Sequence, residues 1–214
     1  MNLYLATNNK GKVRELNRLF EATPYTFLAP GELLKDTEVL EDGKSYRENA
    51  YKKAFYLYQK TGVSVVAEDS GLEVEALDGA PGVYSARFAS LQRQDKPGSP
   101  GSHGSADADN IVHLISLLVD VPLSRRGARF VSVLCLIEGG VVRHDGQKEV
   151  VRYFEGEVRG RIIDTPLGDS GFGYDPVFVP NGYTQTFAQL GQEVKNTISH
   201  RAMAVQRLKK YLIG

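Results

Sequence analysis

The chain has 214 residues, 42% of them hydrophobic, with 26 lysines and arginines against 26 aspartates and glutamates. That length and apolar content suit one large domain, or two lobes sharing a core, and exclude a disordered chain. Zero net charge excludes a global field that gathers nucleic acid, so any electrostatic footprint must be local.

The single cysteine, Cys135, lies in an apolar run and has no partner for an internal disulfide, which points to a buried thiol in a reducing compartment. The start, "MNLYLATNNKGK", places charge after its apolar stretch, the reverse of a secretory signal. No apolar segment approaches the roughly 18–20 residues of a membrane span. The expectation is a soluble cytoplasmic protein.

In chain order, "NLYLA" reads as a strand, and residues 11–20 place Val13, Leu16, Leu19 and Phe20 at helical spacing. Ser45 and Glu48 have the spacing of a capping box, which predicts a helix closed by Gly62. Ala50, Ala54 and Leu57, with Tyr51, Phe55 and Tyr58, give that helix a broad apolar face. "VSVVAEDSGLEVEAL" reads as a strand that breaks at Asp69-Ser70-Gly71 and resumes, followed by a turn-rich "DGAPGVYSARF". Residues 93–106, rich in Gly, Pro and Ser, read as a mobile surface loop, and a helix is expected from about Asp107. Strands fill "ARFVSVLCLIEGGVVRHDGQKEVVRYFEGEVRGRII", with a hairpin turn at Glu138–Val141. The last helix, capped by Ser199, carries Val205, Leu208 and Leu212 on one face. Strand–helix units followed by hairpins predict an α/β fold, a mixed sheet flanked by helices.

Four segments stand out chemically. "TNNKGK", Thr7–Lys12, joins a strand to a helix start, where free N–H groups and the helix dipole favour anions. It is not a P-loop: Val13 follows Gly11-Lys12, and Ala6 stands where that pattern has its first glycine. Thr7, Asn8 and Asn9 can cap the helix or bind a ligand, while Lys10 and Lys12 oppose the dipole unless an anion is present. An ordinary capped turn with solvated lysines is the plainer alternative. His200 and Arg201 repeat the pattern in the first turn of the last helix, with Lys195 nearby, although ion pairing at the surface would also account for them.

"AEDSGL", Ala67–Leu72, puts Glu68 and Asp69 after an apolar run, at the strand end where α/β sheets hold ligands. Adjacent strand residues point oppositely, so one of the two enters such a site, where it could hold Mg²⁺ beside phosphates. An Asp-Ser-Gly turn with Asp69 bonded to its own backbone is the competing reading. In "GFGYDPVF", Gly171–Phe178, glycines flank Phe172, which either stacks on a base or fills the core. His103, His113, His144 and His200 show no zinc-ligand spacing, and no nucleophile elbow exists around Ser70.

Together "LATNNKGKVREL", "ENAYKKA", "AEDSGLEVEALDGAPGVYSARF", "GFGYDPVF" and "SHRAMA" resemble, in order and spacing, the inosine triphosphate pyrophosphatase family. The resemblance implies a long mixed sheet whose two lobes enclose a cleft, a homodimer, and Mg²⁺-dependent hydrolysis of non-standard purine nucleoside triphosphates (ITP, dITP, XTP) to monophosphate and pyrophosphate. It implies one domain over residues 1–214, with triphosphate on Thr7, Asn8, Asn9, Lys10, Gly11 and Lys12, and with Lys53 and Lys195 as further cations. Asp69 matches the metal-binding general base, and either Glu41 or Glu68 supplies the second metal carboxylate. Ser70 would line the site, while Phe172, Gly173, Tyr174, Asp175, His200 and Arg201 would hold the base. The 93–106 loop is longer than the family norm. A Maf-type pyrophosphatase is a related alternative, against which the "SHR" helix start counts; a non-catalytic nucleotide-binding protein is another.

Overall fold

The computed structural model describes residues 1–7, 10–31, 39–91, 106–139 and 150–214. The expected 93–106 loop therefore lies outside the described residues apart from Ala106, as do Gly140 and Val141 of the expected hairpin turn.

The strands are β1 (Asn2–Leu5), β2 (Thr26–Leu28), β3 (Val65–Val74), β4 (Gly127–Glu138), β5 (Val150–Ile162) and β6 (Phe178–Pro180). They form one sheet in the order β2-β1-β3-β4-β5-β6. β1 runs parallel to β2 and β3, and β5 antiparallel to β6, so the sheet is mixed, as the alternation of strand–helix units and hairpins predicted. The helices are α1 (Lys10–Leu19), α2 (Tyr46–Thr61), α3 (Ala106–Leu117), α4 (Phe187–Ile198) and α5 (His200–Ile213).

The chain divides into two compact units: Met1–Asp69, Ser132–Gly156 and Met203–Gly214 form unit 1, and Ser70–Val131 with Glu157–Ala202 form unit 2. Unit 1 packs Leu16 and Phe20 of α1 and Val205 and Leu208 of α5 around Leu3, Leu5, Val66, Leu134 and Leu136. Each such buried side chain contributes roughly 1.5–3 kcal/mol relative to exposure. Asn17 of α1 accepts from Phe27 N at 2.7 Å and donates to Phe27 O at 2.8 Å, which ties β2 into the unit. Unit 2 has its own core of Leu72, Val74, Phe88, Leu114, Phe130, Ile162, Phe178 and Phe187.

Helix α2 starts where its cap residues require. Ser45 Oγ accepts from Glu48 N at 3.2 Å, a cap contributing about 1 kcal/mol, and Gly62 closes the helix in the left-handed region at φ 64°. The Glu48 carboxylate reaches back one residue further than a standard box, to Lys44 N at 2.7 Å. Ala50, Ala54 and Leu57 are core, whereas Tyr51 and Phe55 are half-buried and stacked on each other at 5.3 Å.

One sequence expectation changes, and one element is added. β3 does not break at Asp69-Ser70-Gly71 but runs unbroken for ten residues. β1 pairs with its first residues, Val65 and Val66, β4 is its other neighbour in the sheet, and the Asp69 carboxylate is taken by α2 instead of its own backbone. Beyond the Phe172 segment lies a helix that is absent from the elements read from the sequence. Thr186 and Gln189 form a reciprocal capping box that opens α4, which is kinked into two helical pieces at Gly191, where φ is 76° and ψ 177°.

Candidate active site

In unit 1, Thr7 lies two residues after β1, its N–H donating to Leu5 O at 2.6 Å. Asn8 and Asn9 lie outside the described residues, and Lys10 and Gly11 form the first turn of α1, which contains no acidic residue. Lys12, in the same turn, points its Nζ to 3.3 Å from Glu68 Oε2. Glu68 is buried on β3 and also accepts from Ser132 Oγ of β4 at 3.1 Å.

The next residue along β3, Asp69, turns to a different set of partners, as strand alternation demands. Lys53 Nζ of α2 donates to Asp69 Oδ1 at 3.0 Å and to Glu41 Oε1 at 2.9 Å, and Asn49 Nδ2 donates to Asp69 Oδ2 at 3.2 Å. Asn49 and Lys53 are four residues apart and so share one face of α2. This arrangement places Glu41 with Asp69 and gives Glu68 to Lys12. Burial raises the pKa of Asp69 above the ordinary carboxylate value, against the opposing pull of Lys53. For Lys53, burial opposes the charge, but the Asp69 and Glu41 carboxylates outweigh it and raise its pKa.

At Lys53, two carboxylates, Glu41 and Asp69, face one ammonium group. Oxygens of Glu41 and Asp69 both lie within 3.0 Å of one point, the Lys53 nitrogen. Among the described residues no group of three or more His, Cys, Asp or Glu side chains is placed to hold a metal ion, and the two carboxylates at Lys53 match the one or two that Mg²⁺ takes beside substrate phosphates.

Unit 2 holds the other candidates. Phe172 leaves 53% of its surface in solvent while Lys195 Nζ lies 4.2 Å and Arg201 Cζ 5.4 Å from its ring centre. The ring is therefore not core filling, and two cations lie against it. Hydrogen bonds and an ion pair hold the loop beneath it. Asp175, buried, accepts from Phe172 N at 2.9 Å and forms an ion pair with Lys195, itself buried on α4. Gly171, at φ 88°, has no room for a side chain, since a Cβ would fall 2.1 Å from Asp175 Oδ2. Gly173 N donates to Asp107 Oδ2 at 2.7 Å.

Tyr174 belongs to the core of unit 2, its hydroxyl donating to Ser85 O at 2.9 Å, and burial raises its pKa. Ser199 Oγ caps α5 by accepting from Ala202 N at 3.1 Å. That cap fixes the following His200, which stacks flat on Phe130 at 4.9 Å, and Arg201, both buried. Ser70 is half-buried in β3, directly after Asp69.

Within unit 1 the structure therefore gathers Lys12, Glu41, Lys53, Glu68 and Asp69, and within unit 2 Phe172, Asp175, Lys195 and Arg201. Lys195, for which the resemblance implies a phosphate contact, pairs with Asp175 beside Phe172. Sequence reasoning missed Asn49, Ser132 and Asp107. Only Asn49 left a signal: a poor helix former placed inside a helix, four residues before Lys53.

Residues 3–211 match the model of the Ham1 family. The chain belongs to the Ham1 family. It is 44% identical over 212 residues to the dITP/XTP pyrophosphatase of Desulforamulus reducens, covering 99% of this chain and 96% of that protein. It is 41% identical to the enzyme of the same name from Geobacter sulfurreducens, covering 98% of this chain and 96% of the relative. Among solved structures, the Staphylococcus aureus Ham1 protein superposes with a TM-score of 0.81 at 35% identity, covering 99% of this chain and 98% of the other. A HAM1 protein from Coxiella burnetii gives 0.82 at 32% identity, covering 99% and 98%. Ham1 membership agrees with the resemblance seen in the five motifs, and the fold of these neighbours is the α/β mixed sheet described above.

Proposed function

We propose that this Ham1-family chain hydrolyses non-standard purine nucleoside triphosphates, ITP, dITP and XTP, to the nucleoside monophosphate and pyrophosphate. The observation that carries this reading is the convergence of Asp69 and Glu41 on Lys53, with Lys12 supplied by the first turn of α1. Relatives at about this distance bear the name dITP/XTP pyrophosphatase, which supports the same substrate class.

In this reading Asp69 is the general base. It accepts a proton from the attacking water as the α–β anhydride bond breaks, and the pyrophosphate departs with the electron pair. Thr7, Asn8, Asn9, Lys10, Gly11 and Lys12 receive the triphosphate, and Lys53 balances charge beside the base. Asp69 and Glu41 would hold Mg²⁺, whose contribution when bound is to neutralise charge developing on the phosphate oxygens.

Phe172 stacks on the purine, with Ser70 and the backbone of Gly173 and Tyr174 lining the site. Asp175 and Lys195 fix the platform. Donors of His200 and Arg201 meet an oxygen at the purine 6-position. A 6-amino group would set donor against donor and leave buried groups unpaired, a large penalty. Residues 1–214 act as one catalytic domain, working as a homodimer in the cytoplasm. Among the described residues no helix is long and apolar enough to cross a membrane.

The test is pyrophosphate release from purified protein with Mg²⁺ and a panel of triphosphates. Inosine and xanthosine forms should turn over at least about a thousandfold more efficiently than ATP; equal rates would defeat the selectivity claim. Asp69→Asn should abolish release while nucleotide binding persists, and near-normal turnover would remove Asp69 from its role.

A further inference from the structure

We infer that Asn49 is a positioning residue whose side-chain amide fixes the Glu41-bearing loop and Asp69 at one separation, an inference that rests on the roles just proposed for those carboxylates. Asn49 is fully buried in α2. Its Nδ2 donates to Asp69 Oδ2 at 3.2 Å, and its Oδ1 accepts from Gly43 N at 2.8 Å. Gly43 lies two residues after Glu41. Both ends of one amide are therefore spent on the two chain segments that carry the acidic pair.

Only this amide orientation satisfies both partners, because a carboxylate can only accept here and a backbone N–H can only donate. Lys53 closes the circuit from the other side, taking the second oxygen of Asp69 and one oxygen of Glu41. Asp69 thus has one oxygen held by an amide and the other by an ammonium, so its rotation is locked.

The approach of the loop to Asn49 is close enough to dictate a glycine. A Cβ on Gly43 would fall 2.5 Å from Asn49 Oδ1 and 2.9 Å from Glu48 Cβ. Asparagine is itself a poor residue for a helix interior, and an unpaired buried amide would be costly there. Aspartate at position 49 would set one carboxylate against another, and alanine would leave Gly43 N–H and one Asp69 oxygen unsatisfied. The pair Asn49 and Gly43 acts as a joint.

Two variants separate positioning from structure. Asn49→Ala removes both bonds, and Gly43→Ala crowds the joint without touching Asp69. Each should lower kcat on the order of a hundredfold while KM for dITP moves by less than about threefold, since the lost precision bears on the reacting groups and not on ground-state binding. Independently of turnover, Mn²⁺ binding to the nucleotide-free protein, read from the electron paramagnetic resonance signal of free Mn²⁺, should weaken about tenfold or more in both. Should Asn49→Ala not fold, Asn49→Ser and Gly43→Ala decide by the same two readouts. Folded variants with wild-type kcat and wild-type Mn²⁺ affinity, or a change in KM alone, would overturn the inference. A wild-type chain that releases no pyrophosphate would instead overturn the functional reading, and the Mn²⁺ comparison would still judge the joint.

Discussion

Lys53 and Asp69 form a largely buried ion pair at 3.0 Å, and the same ammonium reaches Glu41 at 2.9 Å. One lysine thereby holds together the two carboxylates assigned to the reaction. Lys53→Met would remove the attraction that lowers the Asp69 pKa while leaving the burial that raises it. The base would then need a higher pH to ionise. The acid limb of the kcat/KM profile should move upward in pH, with turnover at neutrality reduced on the order of a hundredfold. An unmoved limb would show that Lys53 does not act on Asp69.

Phe172 offers a half-exposed ring backed by two cations. Phe172→Ala should cost about 1–3 kcal/mol of nucleotide binding, measured by titration with a non-hydrolysable inosine triphosphate analogue, while Phe172→Tyr should retain most of it. Unchanged affinity in the alanine variant would mean that the ring does not meet the base.

Lys195 and Asp175 are both buried, so the loss of one strands the other's charge. Lys195→Met should lower stability to urea by about 3–5 kcal/mol, and adding Asp175→Asn should recover much of that loss. A double variant no more stable than the single one would place the penalty elsewhere.

Cys135 is fully buried, and burial pushes its thiol up to about 12 from 9.0. Its folded-state pKa exceeds the unfolded one, so the stabilisation is complete below about pH 9 and declines as pH rises towards 12. A thiol reagent at pH 8 should leave the native protein unlabelled and react only as denaturant unfolds it. Stability should also fall more steeply above pH 9 in the parent chain than in Cys135→Ala.

Much of this was legible in the residues. The helical spacing of Leu16 and Phe20, the Ser45 cap and Gly62 stop of α2, and the Ser199 cap of α5 are local signals, and local signals survive into the fold. The inner position of β3 was not legible. Asp-Ser-Gly is turn chemistry by itself, and it lies in a continuous strand whose sheet neighbours, β1 and β4, come from distant parts of the sequence. Helix α4 was open to discovery through its Thr186 and Gln189 box but was obscured by Gly191.

Sequence alone determined which groups are available: two helix starts rich in cations, an acidic pair after an apolar run, and an aromatic between glycines. It did so because charge, capping and backbone freedom are properties of residues and their near neighbours. Tertiary structure alone decided the pairings: Glu41 with Asp69 through Lys53, Glu68 with Lys12, Lys195 with Phe172 and Asp175. Hydrogen bonds and ion pairs act over about 3 Å, and only packing brings residues far apart in the chain within that reach.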